Sequence, residues 1–321
     1  MLPPVIPSLE DVRAAQKTIA GRVHRTPVLS SATLSEIAGA PVWLKAELLQ
    51  RSGSFKVRGA FNRLSALSPE ERERGVIGVS AGNHAQALAL AARELDTTAL
   101  VLMPPDASPT KVAATHAYGG EVDLDSPDAA SMFPRMAEIA ERTGRVVVHP
   151  FDDPLVQAGQ GTVGLELADQ VPGLDTVIVP VGGGGLITGI AAALRPLTGA
   201  RVIGVEPELA PSVRAALDAG EVVPVELGPT AADALKAPSA MPNSLEGCRT
   251  LVDDIVLVSE DEIAEAMRFV YGRAKLACEA GAAVGVAALL SGRVDVGGSS
   301  GVAVVISGGN IAPALVTQLL L

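Results

Sequence analysis

Aromatic side chains are almost missing from this chain: one Trp, two Tyr and five Phe among 321 residues. Proteins that bind single-stranded nucleic acid stack bases on such rings, so the scarcity argues against that class of partner. Basic residues are also in deficit, with 25 Lys and Arg against 36 Asp and Glu and a formal charge of -11. That sign works against phosphate backbones and anionic membrane surfaces, so an anionic ligand has to be bound by local donors. Cysteine is confined to Cys248 and Cys278, far apart and outside any zinc-ligand spacing, which points to reduced thiols and a cytoplasmic setting. No apolar run reaches the roughly 18 residues of a spanning helix. The start carries Pro3, Pro4 and Pro7 with acidic Glu10 and Asp11, unlike a signal peptide. Repeats and low-complexity tracts are absent as well.

What the chain does have is aliphatic bulk and glycine: 48% hydrophobic residues and 33 Gly, enough for a substantial core in which backbones approach closely. Ser8 and Asp11 form a capping-box pattern that opens a helix through about Ala20. His24–Leu29 reads as a turn into an extended segment, and Pro41–Glu47 alternates as a strand that leads to a helix over Phe55–Leu67. From Gly75 strand and helix alternate: strands Val76–Val79, Ala99–Met103, Glu121–Leu124 and Val146–His149, with helices Asn83–Leu95, Pro109–Ala117 and Asp128–Thr143 between them. A second series has strands Thr176–Val181, Val202–Val205, Ile255–Val258 and Val302–Ile306. Its helices span Leu155–Asp169, Leu186–Leu194, Pro211–Ala219, Asp261–Lys275 and Ala282–Leu290. The alternation predicts an α/β protein with two parallel sheets, each with helices on both faces, and Ala231–Asn243 as an irregular loop.

Four stretches carry candidate chemistry. In Ser52-Gly53-Ser54-Phe55-Lys56-Val57-Arg58-Gly59-Ala60, apolar Phe55 and Val57 flank a lysine. Desolvation there lowers the ammonium pKa and exposes a free amine able to form a Schiff base, the alternative being an ordinary solvated lysine at a helix start. Gly182-Gly183-Gly184-Gly185-Leu186 lies between a buried strand and a helix, where backbone N–H groups and the positive helix end bind a phosphate without basic side chains. A dinucleotide fingerprint is disfavoured, because its third glycine would fall on Ile187. Ser80-Ala81-Gly82-Asn83-His84 opens another helix and suits a substrate carboxylate, with the Asn83 amide a donor to a phenolate-like oxygen; plain N-capping is the alternative. Ser307-Gly308-Gly309-Asn310 ends a strand at the edge where open parallel sheets bind ligands.

In content and order these stretches resemble the threonine/serine dehydratase and serine racemase family of pyridoxal-phosphate enzymes, from about Thr26 to Asn310. The resemblance implies fold type II, the tryptophan synthase β-like architecture of two doubly wound parallel-sheet domains with the cofactor in the cleft. Residues 1–73 and 148–321 would form the large domain, and 74–147 a smaller one that closes over the substrate. It implies that Lys56 holds pyridoxal 5'-phosphate and acts as the base. Phe55 would pack near the ring, Asn83 would contact the 3'-oxygen, Gly182, Gly183, Gly184, Gly185 and Leu186 would cradle the phosphate, and Ser307 would meet the ring nitrogen. The substrate carboxylate falls to Ser80, Ala81, Gly82, Asn83 and His84.

The implied reaction is β-elimination from L-threonine or L-serine to 2-oxobutanoate or pyruvate plus ammonia, by a homodimer. Serine racemase and 3-hydroxyaspartate dehydratase are the alternatives. Racemisation needs a second proton donor on the opposite face of Cα, and the serine that supplies it in the racemases is Ala81 here. The chain ends soon after Asn310, which leaves no room for a C-terminal regulatory domain. Glu206, Ala210 and Ser212 match a structural-cation site of some relatives; with Ser212 in place of a carboxylate the affinity is weaker, and whether a cation binds stays open. Ala234 stands where relatives often have glycine. Glu279-Ala280-Gly281-Ala282 matches a family segment with two changes, and a structural role is read for it. Alanine at Gly183 or Gly184 is expected to weaken cofactor affinity more than stability.

Overall fold

The computed structural model describes residues 3–80, 82–128 and 131–320. Its ten strands are β1 Val28–Ser30, β2 Val42–Ala46, β3 Val76–Val79, β4 Ala99–Leu102, β5 Glu121–Asp123, β6 Val146–Val147, β7 Thr176–Pro180, β8 Arg201–Pro207, β9 Asp254–Val258 and β10 Val302–Ile306. They form a six-stranded sheet in the order β1-β2-β10-β7-β8-β9 and a four-stranded sheet in the order β5-β4-β3-β6. The larger sheet therefore draws strands from both ends of the chain, and the smaller one only from its middle. The smaller sheet is wholly parallel. The larger is parallel except at its edge, where β1 runs antiparallel to β2 with Leu29 opposite Leu44. The antiparallel edge strand adds to the two parallel sheets expected; the link from β1 to β2 holds only a short helix and lets the chain double back.

Central strands β7 and β10 are buried at every position. Their side chains part by alternation: Val177, Val179, Ala303 and Val305 join one apolar cluster, Ile178, Val302, Val304 and Ile306 the other. Each such Val or Ile stabilises the fold by about 1.5–3 kcal/mol on burial. Helices Pro154–Gln170 and Gly185–Leu197 cover the first face, and helices Glu260–Phe269 and Ala280–Leu290 the second. The helix Lys56–Ser65 crosses the helix Pro154–Gln170 with backbones almost touching, since a Cβ on Gly159 would lie 2.6 Å from the Gly59 Cα. That crossing fixes where the first turn of the Lys56 helix points.

Three helices escape the sequence reading: Ala32–Ala38, Pro69–Arg74 and Pro242–Leu251. The last begins inside the stretch expected to be an irregular loop, which also contains a 3₁₀ turn over Asp233–Leu235. The helix expected from Asp128 begins at Met132, and the one expected to run to Lys275 ends at Phe269, followed by a π turn over Val270–Ala274 and by Lys275 at φ 60°. Among the described residues, no helix is long and apolar enough to cross a membrane.

Candidate active site

The chain enters the Lys56 helix through a left-handed turn, Ser52 at φ 60° and Gly53 at φ 75°. Only glycine suits position 53, because a Cβ there would also meet Asn310 Oδ1 at 2.5 Å. Past the turn the segment is zipped to the end of β10. Ser54 bridges Gly308, the Phe55 N–H donates to the Ser307 carbonyl at 3.1 Å, and the Gly309 N–H to the Gly53 carbonyl at 2.9 Å. Lys56 opens the helix, and its Nζ donates to the Pro150 carbonyl at 2.7 Å, 5.3 Å from the centroid of the Phe55 ring. Burial lowers its ammonium pKa to about 8, with the Glu279 charge acting in the opposite sense. Two histidines face the same lysine. Burial first and the Lys56 charge second lower His84 to about 3 and His149 to about 4.

Behind the lysine, a buried ionic cluster anchors its helix. The Arg58 guanidinium grips Glu47 through Nε at 2.8 Å and Nη2 at 2.7 Å, and Glu166 through Nη1 at 2.6 Å and Nη2 at 3.0 Å. Lys45 Nζ donates to Glu166 at 2.6 Å, and the Thr26 hydroxyl to Glu47. Two cations thus meet two anions in a space that excludes water. Burial alone would raise the Glu47 carboxyl, but Arg58 outweighs it and holds the group below the usual carboxylate range. Sequence reading missed this cluster because its members lie up to 121 residues apart.

The tetraglycine lies at the C-terminal edge of β7. Gly184, at φ 89°, is the N-cap of the helix Gly185–Leu197, and no side chain caps that helix. Its first-turn N–H groups at Gly185 and Leu186 therefore lack the acceptor that such ends usually recruit. Phe151 lies against the loop, so closely that a Cβ on Gly183 would meet its ring at 2.4 Å and one on Gly185 its carbonyl at 2.5 Å. Its ring packs edge-on against His149, which stacks on Phe133.

At the start of the helix Asn83–Glu94, the Gly82 N–H donates to Ser80 Oγ at 3.1 Å. Asn83 Nδ2 donates to Glu279 Oε1 at 2.7 Å, while Asn83 Oδ1 accepts from Asn310 Nδ2 at 2.8 Å. Asn310 Nδ2 also donates to the Ser52 carbonyl at 2.8 Å. The His84 ring is buried, 3% exposed, with Nε2 3.3 Å from the Val148 carbonyl. Ala81 lies outside the described residues.

The structure thus brings Lys56, Phe55, Asn83, Ser307 and Asn310 together. Of the expected cation set, Ser212 Oγ donates to Glu206 Oε1 at 3.3 Å. Glu206 accepts from the backbone N–H groups of Val213 and Arg214, each at 2.8 Å, and so caps the helix Ser212–Ala219. Ser212 Oγ donates to the Gly182 carbonyl at 3.2 Å, and the Ala210 N–H to the Pro207 carbonyl at 2.9 Å. Among the described residues, no cluster of three or more His, Cys, Asp or Glu could hold a metal ion. Pyridoxal phosphate fits the remaining donors: an uncapped helix end behind a glycine cradle for the phosphate, and a desolvated lysine amine for the aldehyde.

Comparison with known proteins agrees with this fit. The chain is 44% identical over 314 residues to an L-threonine ammonia-lyase of Thermotoga maritima, covering 98% of this chain and 78% of that protein. It is 42% identical over 314 residues to the catabolic L-threonine dehydratase TdcB of Escherichia coli, covering 97% and 95%. Among solved structures, maize serine racemase superposes with a TM-score of 0.93 at 36% identity, covering 98% of this chain and 97% of that one. Residues 19–308 match the family model described as pyridoxal-phosphate dependent enzyme, so by sequence, by fold and by the donors gathered around Lys56 the chain belongs to that family.

Proposed function

We propose that this enzyme is a threonine/serine ammonia-lyase in which Lys56 is both the attachment point of pyridoxal phosphate and the base. The observation that carries the reading is the Lys56 amine, desolvated and held at 2.7 Å by the Pro150 carbonyl. When bound, the cofactor supplies an electron sink next to the substrate Cα. Lys56, lowered to about 8, has a usable fraction of free amine near neutral pH and can take the Cα proton. The first-turn N–H groups of the helix Asn83–Glu94 hold the substrate carboxylate, and those of Gly185 and Leu186 the phosphate. Ser307 offers a hydroxyl to the ring nitrogen, a weaker partner than a carboxylate, which favours prompt loss of the β-hydroxyl over a long-lived carbanion.

The relatives named above as threonine ammonia-lyase and threonine dehydratase support L-threonine as substrate. In the proposed arrangement residues 74–147 move over the substrate against a large domain of 1–73 and 148–321, in a cytoplasmic homodimer. Likeness to maize serine racemase raises racemisation as the second reading. Ala81 opposes it, because alanine has no exchangeable proton to deliver to the far face. The test is to incubate the loaded enzyme with L-threonine, L-serine and 3-hydroxyaspartate, measure 2-oxo acid and ammonia, and resolve serine by chiral chromatography. Equal 2-oxobutanoate and ammonia from L-threonine, with negligible D-serine from L-serine, are expected. D-serine forming as fast as pyruvate would make the enzyme a racemase.

A further inference from the structure

Glu279 is the N-cap of the helix Ala280–Leu290, a position whose side-chain oxygen ordinarily accepts from the first turn, yet its carboxylate makes no such bond. Instead it reaches across to Asn83 Nδ2 at 2.7 Å, over a sequence separation of 196. Glycine at 308 makes the reach possible, since a Cβ there would sit 2.4 Å from Glu279 Oε1 and 3.2 Å from Asn83 Nδ2. The Glu279 N–H is tied to the Gly308 carbonyl at 3.1 Å, and the residue is 4% exposed. A buried carboxylate that forgoes the donors of its own helix to hold a neutral amide serves the amide's orientation. With Asn310 holding the other end at 2.8 Å, the Asn83 side chain is fixed and one of its two N–H groups is left over.

We infer that Glu279 is a positioning residue of the cofactor site: its carboxylate orients the Asn83 amide, and its charge tunes the reactivity of the Lys56 amine. The inference rests on the assignment of Asn83 and Lys56 to the cofactor made above. Lys56 faces Glu279, His84 and His149; Glu279 faces Asn83, Lys56 and the Lys111–Asp233 ion pair at 2.5 Å. Burial raises the Glu279 carboxyl to about 7, so above that pH its negative charge favours the ammonium form of Lys56.

Cofactor-free Glu279→Ala and Glu279→Gln proteins are compared with wild type by equilibrium dialysis against pyridoxal phosphate and by the pH dependence of its uptake rate. Losing the acceptor in Glu279→Ala is expected to weaken binding about tenfold or more. Glu279→Gln keeps an acceptor oxygen, so binding returns to within about threefold of wild type. Without the negative charge, the midpoint of its uptake profile moves to lower pH, a change that mere loss of packing would not produce. Wild-type binding by both variants overturns the inference, as does equal weakening with an unmoved midpoint. Should Glu279→Ala fail to fold, the midpoint of Glu279→Gln decides alone. Lys56→Ala is run in parallel: normal covalent uptake by it would overturn the cofactor assignment and this inference together, whereas loss of uptake there with wild-type Glu279 variants overturns this inference only.

Discussion

Replacing Arg58 by Met tests whether the buried ionic cluster holds the Lys56 helix in place. Arg58 makes four close contacts to the carboxylates of Glu47 and Glu166, plus donations to the Thr162 hydroxyl at 3.1 Å and the His24 carbonyl at 3.2 Å. Methionine fills most of the volume but returns none of these bonds. Lys45 then remains as the only cation against two buried carboxylates, and of those two its Nζ pairs with Glu166 and not Glu47. Breaking a buried pair by removing one partner costs about 3–5 kcal/mol, and here one guanidinium serves two partners, so the upper half of that range is expected. Trp43, the only tryptophan, lies on β2 two residues from Lys45, so its fluorescence reports urea unfolding close to the lesion. The cofactor-free variant is expected to unfold at markedly lower urea and to lose cofactor on dialysis at concentrations where wild type retains it. A loss under about 1 kcal/mol, within the range of a surface pair, would refute the reasoning.

Gly183→Ala pushes a methyl to within 2.4 Å of the Phe151 ring, and Gly184→Ala strains a backbone at φ 89°. Both are therefore expected to lower the melting temperature as well as cofactor retention, a revision of the sequence expectation that affinity suffers more. For His84, whose folded pKa of about 3 lies below the ordinary 6.5, the native state keeps the ring neutral. The unfolded chain takes up the proton first, so this contribution is complete above pH 6.5 and is lost as pH falls toward about 3. His84→Gln is expected to remove from the acid limb of the stability profile a slope of the order of 1 kcal/mol per pH unit, read as the difference from wild type so that groups common to both proteins cancel. An identical acid limb in variant and wild type would contradict the assignment.

The glycine stretches and Lys56 were legible because what marks them is local. A positive φ at Gly184 demands glycine whatever the rest of the chain does. Helix Pro69–Arg74 was missed although Ser68 and Glu71 form a capping box, because it buries no residue and so shows no apolar periodicity. Helix Pro242–Leu251 buries only Ser244, Leu245, Gly247 and Cys248, too few large apolar groups to outline a face. Glu279 could not be read as part of the site at all. Its bond to Asn83 exists only once the starts of the helices Ala280–Leu290 and Asn83–Glu94 are brought together, and the segment around it resembles an ordinary helix start.

The most direct measurement is reductive trapping. The loaded enzyme is treated with borohydride, which makes a lysine–cofactor bond permanent, then digested and mapped by mass spectrometry. Six lysines compete: Lys17, Lys45, Lys56, Lys111, Lys236 and Lys275. The pyridoxyl mass is expected on the peptide that contains Lys56, with none on the other five and none in Lys56→Ala. Stoichiometric label on any other lysine, or unchanged labelling of Lys56→Ala, would contradict the assignment of this site.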